Sequence, residues 1–270
     1  MVATDKLFAG SIPEIYERFL VPLIFEDYAR DLAERVARVA PRDLLETAAG
    51  TGVLTRAIAA RLPVHARMVA TDLNQPMLDH AAAKQSHHDQ VTWRQADALA
   101  LPFEDQQFDV VAYQFGVMFF PDKVTTYKEA RRVLKPRGHF FFNVWDKISD
   151  NEFADVVTEA LAALFPQDPP RFLARTPHGY HDGEKIRAEL TAAGFTDVSI
   201  ETVEHRSRAA SPSDPAIAYC QGTPLRNKIE ARDASRLEDA TKAAADAVAA
   251  RFGSGPVDGR IRAHVIAATG

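Results

Sequence analysis

The sequence predicts an α/β fold in which a parallel sheet is covered by helices on both faces. Three features carry that expectation. From Pro41 onward short apolar runs alternate with helical segments; the runs FDVVAYQ and GHFFFNVW are apolar nearly throughout rather than at every second residue; and the first run turns through a string of small residues into a helical pattern. Strands are expected at 42–48, 67–72, 91–95, 108–114 and 138–145, with helices near 53–62, 75–85 and 122–134 between them.

Ahead of the sheet, SIPEIYERFLVPLIF mixes aromatics with Pro13 and Pro22. The prolines predict short helical pieces, and residues 7–24 read as an arm folded over the core. Phe25, Tyr28, Leu32, Val36 and Val39 then recur three or four apart, the spacing of one apolar helical face. Tyr16 and Tyr28 read either as packing area or as a residue closing a pocket.

The stretch DLLETAAGTGVLT is the one around which the rest of the chain is organised. Its strand ends in Glu46, passes through small residues from Thr47 to Gly52, and becomes helical at Val53, Leu54, Ala57 and Ile58. Glycine takes positive φ and lets a ligand approach the backbone, while the free amides of a helix's first turn suit an anionic group. Further on, Asn74 is placed as a helix cap before Pro76, and Lys135-Pro136-Arg137-Gly138 as a turn. Beyond Asp150 come a helix carrying Phe153, Val157, Leu161 and Leu164, a proline-rich loop, and a helix at 184–193 ended by Gly194 in a left-handed cap. Strands at 195–204 and 260–268 flank an alanine-rich helical insertion at about 213–252, too integrated with them to form a separate domain. The expected organisation is an arm at 1–40 over the site, a core at 41–148, and a carboxy-terminal part of the same domain at 149–270 with lid-like helices and the last two strands.

Composition narrows the function classes. The 270 residues are 46% hydrophobic with a net charge of −5, and no run of Lys and Arg could neutralise a row of phosphates, which disfavours a nucleic-acid partner. Cys220 stands alone, so an intramolecular disulfide is excluded and no zinc-cluster spacing exists. No stretch at the amino terminus reads as a signal peptide and no apolar run would cross a bilayer. A soluble, cytoplasmic protein acting on a small molecule, as monomer or homodimer, is the expectation.

Three acids fall at equivalent places: Glu46 and Asp72 at the ends of strands, and Asp97 just past the third. Ligands of open α/β sheets bind outside those ends, and a carboxylate after the second strand reaches ribose hydroxyls. Asp97-Ala98 could meet an adenine edge, or Asp97 could be a loop acid. A nicotinamide dehydrogenase would use the same glycines, yet its motif asks for a small residue where Thr55 stands.

Taken together, ETAAGTG, VATDLNQPML, ADALALPFEDQQFDVV, QFGVMFF and ARRVLKPRGHFFF resemble the successive motifs of class I S-adenosylmethionine-dependent methyltransferases, and within them the ubiquinone/menaquinone biosynthesis methyltransferase-like group. The resemblance covers about residues 40–146. It implies a three-layer Rossmann-like methyltransferase fold, with a mostly parallel seven-stranded sheet and an antiparallel last strand. It also implies S-adenosyl-L-methionine as cofactor and a set of contacts: Ala48 and Gly50 against the methionine part beside Glu46, Thr55 on the first helix, Asp72 with Leu73 at the ribose, Met77 on the adenine, Asp97 and Ala98 at its edge, and Gln114 near the methyl end. Ala48 stands where the family has its first turn glycine, leaving less room.

A sulfonium donor carries its own leaving group, so the protein must mainly align acceptor, methyl carbon and sulfur for in-line displacement, worth about 7 to 11 kcal/mol of the barrier. No metal or covalent nucleophile is called for. Tyr16, Phe115 and Trp145 are candidates for an aromatic surround of the cation. For a base, His178 and His181 lead, with His139, His205 and His264 in strand patterns and His87-His88 read as an exposed loop pair. The expected activity is methyl transfer to a small apolar or aromatic acceptor; the alternatives are an NAD(P)-dependent oxidoreductase and a protein that binds the donor without transferring its methyl group.

Overall fold

Seven strands form one sheet in the computed structural model, which describes residue 8 and residues 10–85 and 90–270. They are β1 (Asp43–Thr47), β2 (Arg67–Asp72), β3 (Val91–Gln95), β4 (Phe108–Gln114), β5 (Leu134–Trp145), β6 (Asp197–Ala209) and β7 (Val257–Thr269). Their order is β3-β2-β1-β4-β5-β7-β6. The first five are parallel. Against β5 the last strand runs the other way, since the Arg137 amide donates to the Gly270 carbonyl and the Asp146 amide to the Arg262 carbonyl. Order reverses between β1 and β4, which opens a crevice at the carboxyl ends of the strands.

The chain divides into two compact units, one of Met1–Phe25, Trp145–Tyr180 and Glu204–Ala263, the other of Glu26–Val144, His181–Val203 and His264–Gly270. In the second unit, helices α2 (Glu26–Arg38) and α3 (Val53–Ala59) cover one sheet face. Their Leu32, Val36, Leu54 and Ile58 pack on Leu44, Met68, Val110, Ala112 and Phe141, each of the side chains larger than alanine contributing about 1.5–3 kcal/mol when fully buried. Strand side chains alternate between faces, so two residues further along the same face lie Glu46, Gln114 and Asn143, at the carboxyl ends. The opposite face is aromatic: Tyr113 meets Phe140 at 4.9 Å between ring centres, Phe140 meets Phe195 at 5.3 Å, and Tyr127 of α5 (Lys123–Val133) meets Phe140 at 5.8 Å.

In the other unit a short helix α1 (Ile12–Ile15) runs into a π-wound segment, Tyr16–Phe25, with Pro22 inside it. The prolines therefore do not break this stretch into pieces. Pro13 sits in the first turn, where its missing N–H costs nothing, and the wider π winding accommodates Pro22. The same unit holds α6 (Glu152–Leu164), α7 (Phe172–Arg175), α9 (Ser213–Gln221), α10 (Leu225–Glu230) and α11 (Leu237–Phe252). Here α11 packs on both α6 and α9.

Two further local expectations change. Residues 135–138 are no free turn: Phe108 pairs with Leu134 and Val110 with His139, so the extra residues are a bulge within β5, with Arg137 at φ +65. Asn74 does stand before α4 (Gln75–Lys84), but its side chain makes no cap bond and donates instead to Asp72. Gly194, at φ +96, ends α8 (Gly183–Ala192) as expected. His87 and His88 lie outside the described residues.

Candidate functional site

The turn after β1 is built from left-handed backbone. Ala48, Gly50 and Gly52 have φ of +57, +58 and +81. Gly52 is required twice over, because a Cβ there would also lie 2.9 Å from the Trp93 ring. The turn is tied to β2: the Ala49 amide donates to the Thr71 carbonyl at 2.9 Å and the Gly50 amide to Asp72 Oδ2 at 3.0 Å. Asp72 Oδ1 accepts from the Asn74 amide at 2.8 Å. The carboxylate that ends β2 thus holds the small-residue turn and the start of α4 in one arrangement. Burial raises its pKa, opposed by those hydrogen bonds from Asn74 and Gly50.

Glu46 is fully buried. Its Oε2 accepts from the Thr55 hydroxyl at 2.6 Å, while Oε1 has no hydrogen-bond partner among the described residues. Loss of hydration outweighs one charge-assisted hydrogen bond, worth about 1.5–3 kcal/mol, and the carboxyl is pushed up to about 8 by burial, against the Thr55 bond and the Arg56 charge. Thr51 Oγ1, in the turn, is likewise buried without a partner among the described residues.

Around this pair the remaining second-unit candidates take their places. Met77 is buried, and its methyl would lie 3.7 Å from a Cβ on Gly50. Leu73 is exposed at 39%. Asp97 is exposed and its Oδ1 accepts from the Leu99 amide at 3.0 Å, a loop arrangement; Ala98 is buried. Gln114 ends β4 beside Asn143 of β5 in the ladder. Phe115, at φ +50, sets its ring edge-on to Tyr28 at 5.4 Å, and the Tyr28 hydroxyl donates to the Val203 carbonyl at 3.0 Å. His181, of this unit, is half-buried; His139 stacks on Phe141, and His264 Nδ1 lies 3.0 Å from the Thr202 hydroxyl.

In the first unit Tyr16 stacks on Phe25 at 5.2 Å, Phe25 meets Trp145 at 5.8 Å, and Trp145 meets His178 at 6.0 Å. His178 is buried and its Nδ1 lies 2.8 Å from the Asp146 carbonyl. A carbonyl only accepts, so Nδ1 carries the proton and Nε2 is the basic nitrogen of the neutral ring. Asp146 in turn accepts from Arg262 Nε at 2.7 Å.

Residues 45–142 match the model of a family described as a methyltransferase domain. The demethylmenaquinone methyltransferase of Lactobacillus johnsonii is 31% identical over 168 residues, which are 58% of this chain and 68% of that protein. The chain belongs to the class I S-adenosylmethionine-dependent methyltransferases. Its place is in their ubiquinone/menaquinone biosynthesis methyltransferase-like group: the ubiquinone/menaquinone biosynthesis C-methyltransferase of Stutzerimonas stutzeri is 29% identical over 207 residues, 72% of this chain and 76% of that one. Among solved structures, a SAM dependent methyltransferase from Aquifex aeolicus shares the fold, with a TM-score of 0.51 at 16% identity over 72% of this chain and 90% of that chain.

Family membership overturns the oxidoreductase alternative, in keeping with Thr55, whose hydroxyl serves Glu46 where a dinucleotide site would have a small residue. The methyltransferase's residues fit the cationic donor. Glu46 Oε1 and Thr51 Oγ1 are buried atoms lacking partners among the described residues, and Gly50 and Gly52 leave the turn without Cβ bulk. Gly116 and Asn143 escaped the sequence reading, and Asn74, expected only as a helix cap, donates to Asp72 instead. Asn143 left one signal, a polar residue interrupting the apolar run FFFNVW.

Proposed function

We propose that this methyltransferase transfers the methyl group by in-line displacement to a small, ring-containing acceptor of the phenol or quinol type. The bound donor supplies an activated methyl on a sulfonium leaving group. The chain's own residues bind and orient: Asp72 accepts from the ribose hydroxyls, Met77 and Ala98 flank the adenine with Asp97 at its edge, and the Ala48–Gly50 turn lies along the methionine part. Glu46 carries carboxylate charge toward the cation from beneath that turn. The acceptor class is supported by the names of the relatives, which include demethylmenaquinone and ubiquinone/menaquinone methyltransferases, and by the Phe115 and Tyr28 rings just beyond β4. One observation carries the donor assignment: Asp72 holds the glycine turn through the Gly50 amide at 3.0 Å, as one preformed cradle.

The reading is tested by calorimetry with S-adenosylmethionine on the wild type and Asp72→Ala, followed by transfer of a labelled methyl group to a panel of phenols, quinols, amines and carboxylates. Binding by the wild type, its loss in the variant, and label appearing in a quinol or phenol support it. Label going only to amines or carboxylates overturns the acceptor class. Donor binding with no transfer to any phenol or quinol of the panel removes the proposed acceptor class, whereas transfer to any panel member excludes a protein that binds the donor without transferring it.

A further inference from the structure

Asn143 is buried to 0% exposure near the end of β5. Its Oδ1 accepts from the Phe115 amide at 3.0 Å, which sets the orientation of the carboxamide, since an N–H cannot donate to an NH2 group. The other end, Nδ2, has no hydrogen-bond partner among the described residues. An unpaired buried donor costs about 1–3 kcal/mol, and a group left so in a folded chain asks for a partner from outside it.

Sheet order indicates which molecule supplies that partner. Asp72 ends β2 and Asp97 follows β3, and carboxylates in those places hold the nucleoside end of a ligand. With the order β3-β2-β1-β4-β5 and strands about 4.8 Å apart, the rest of the donor passes over β1 toward β4. Asn143 stands one strand further on. The reactive end of the donor is positive, the wrong sign for an N–H donor.

We infer that Asn143 Nδ2 donates a hydrogen bond to an oxygen of the methyl acceptor, a hydroxyl, phenolate or carbonyl on its ring, and so selects oxygen-bearing rings over hydrocarbon ones. Sites built around such a donor discriminate strongly, because an analogue without the oxygen leaves the buried group unpaired. The inference deepens the acceptor reading above and rests on it.

The test is calorimetry of the protein saturated with S-adenosylhomocysteine and titrated with 1,4-naphthohydroquinone under reducing conditions, for the wild type, Asn143→Asp and Asn143→Leu. The aspartate keeps an oxygen for the Phe115 amide and sets a second oxygen against the ligand's own; the leucine fills the space, and the Phe115 amide retains its bond to the backbone carbonyl of residue 143. Hydroquinone binding is expected to weaken by about tenfold or more in both variants, with S-adenosylhomocysteine affinity held within about twofold. Equal hydroquinone affinity in wild type and variants overturns the Asn143 assignment alone. A matching loss of S-adenosylhomocysteine affinity overturns it by placing the oxygen on the donor. Failure of the loaded wild type to bind the hydroquinone removes the quinol-type acceptor, and this assignment with it.

Discussion

The Cβ of Ala48 faces Gly116 so closely that a Cβ built on Gly116 would lie 2.6 Å from it. Ala48 stands in the left-handed region at φ +57, where an L side chain costs about 1–2 kcal/mol. The methyl tolerated in the turn is thus matched by a side chain missing from the loop after β4.

That pairing predicts a coupled response. Gly116→Ala is expected to destabilise by about 1–3 kcal/mol through overpacking. Ala48→Gly alone trades relieved strain against the greater entropy of an unfolded glycine and is expected to be near neutral, within about 1 kcal/mol. The double variant should recover most of the Gly116→Ala loss, read from urea unfolding as a non-additive cycle. Strict additivity would show that the two positions do not share the space.

Asp72→Asn tests the cradle. A carboxylate offers an oxygen to Gly50 and another to Asn74, whereas a carboxamide has only one oxygen and must turn an NH2 toward one of those amides. With a charge-assisted bond worth about 1.5–3 kcal/mol, affinity for S-adenosylhomocysteine is expected to fall by about 10- to 100-fold in calorimetry. Unchanged affinity would remove Asp72 from the donor site.

The parts legible in the sequence were those written locally. The run lengths located β1 to β5, and Glu46, Gly50, Gly52 and Asp72 stood out because acids and glycines interrupt apolar patterns at strand ends. The contact of Ala48 with Gly116 joins segments far apart in the chain, so no window of sequence displays it. Arg137 bulges out of β5 because the ladder with β4 resumes at His139, a register that only the folded pair defines. Pro22 carried the signal of a breaker, yet the π winding from Tyr16 to Phe25 absorbs it. Asn143 lay hidden in a run that otherwise reads as core.

Glu46 links donor binding to protons. Its carboxyl is pushed up from 4.5 to about 8 chiefly by burial, so at pH 7 the donor-free protein holds it mostly protonated. A cation placed beside it favours the carboxylate, so binding S-adenosylmethionine is expected to release a proton, and affinity should rise with pH up to about 8 and level off above it. Calorimetry in buffers of different ionisation enthalpy measures the release directly, and Glu46→Gln should abolish it. Stability follows the opposite course. Between pH 4.5 and about 8 the native state binds more protons at Glu46 than the unfolded chain does, so this group's contribution to stability is full below that window and is lost as pH rises through it. Asp72, raised by its own burial, acts with the same sign, whereas Asp43, Asp109 and Glu129, all lowered, act oppositely in the acid range. The unfolding midpoint of the donor-free wild type should therefore decline more steeply from pH 5 to 8 than that of Glu46→Gln; parallel curves, or proton release persisting in the variant, would place the titrating group elsewhere.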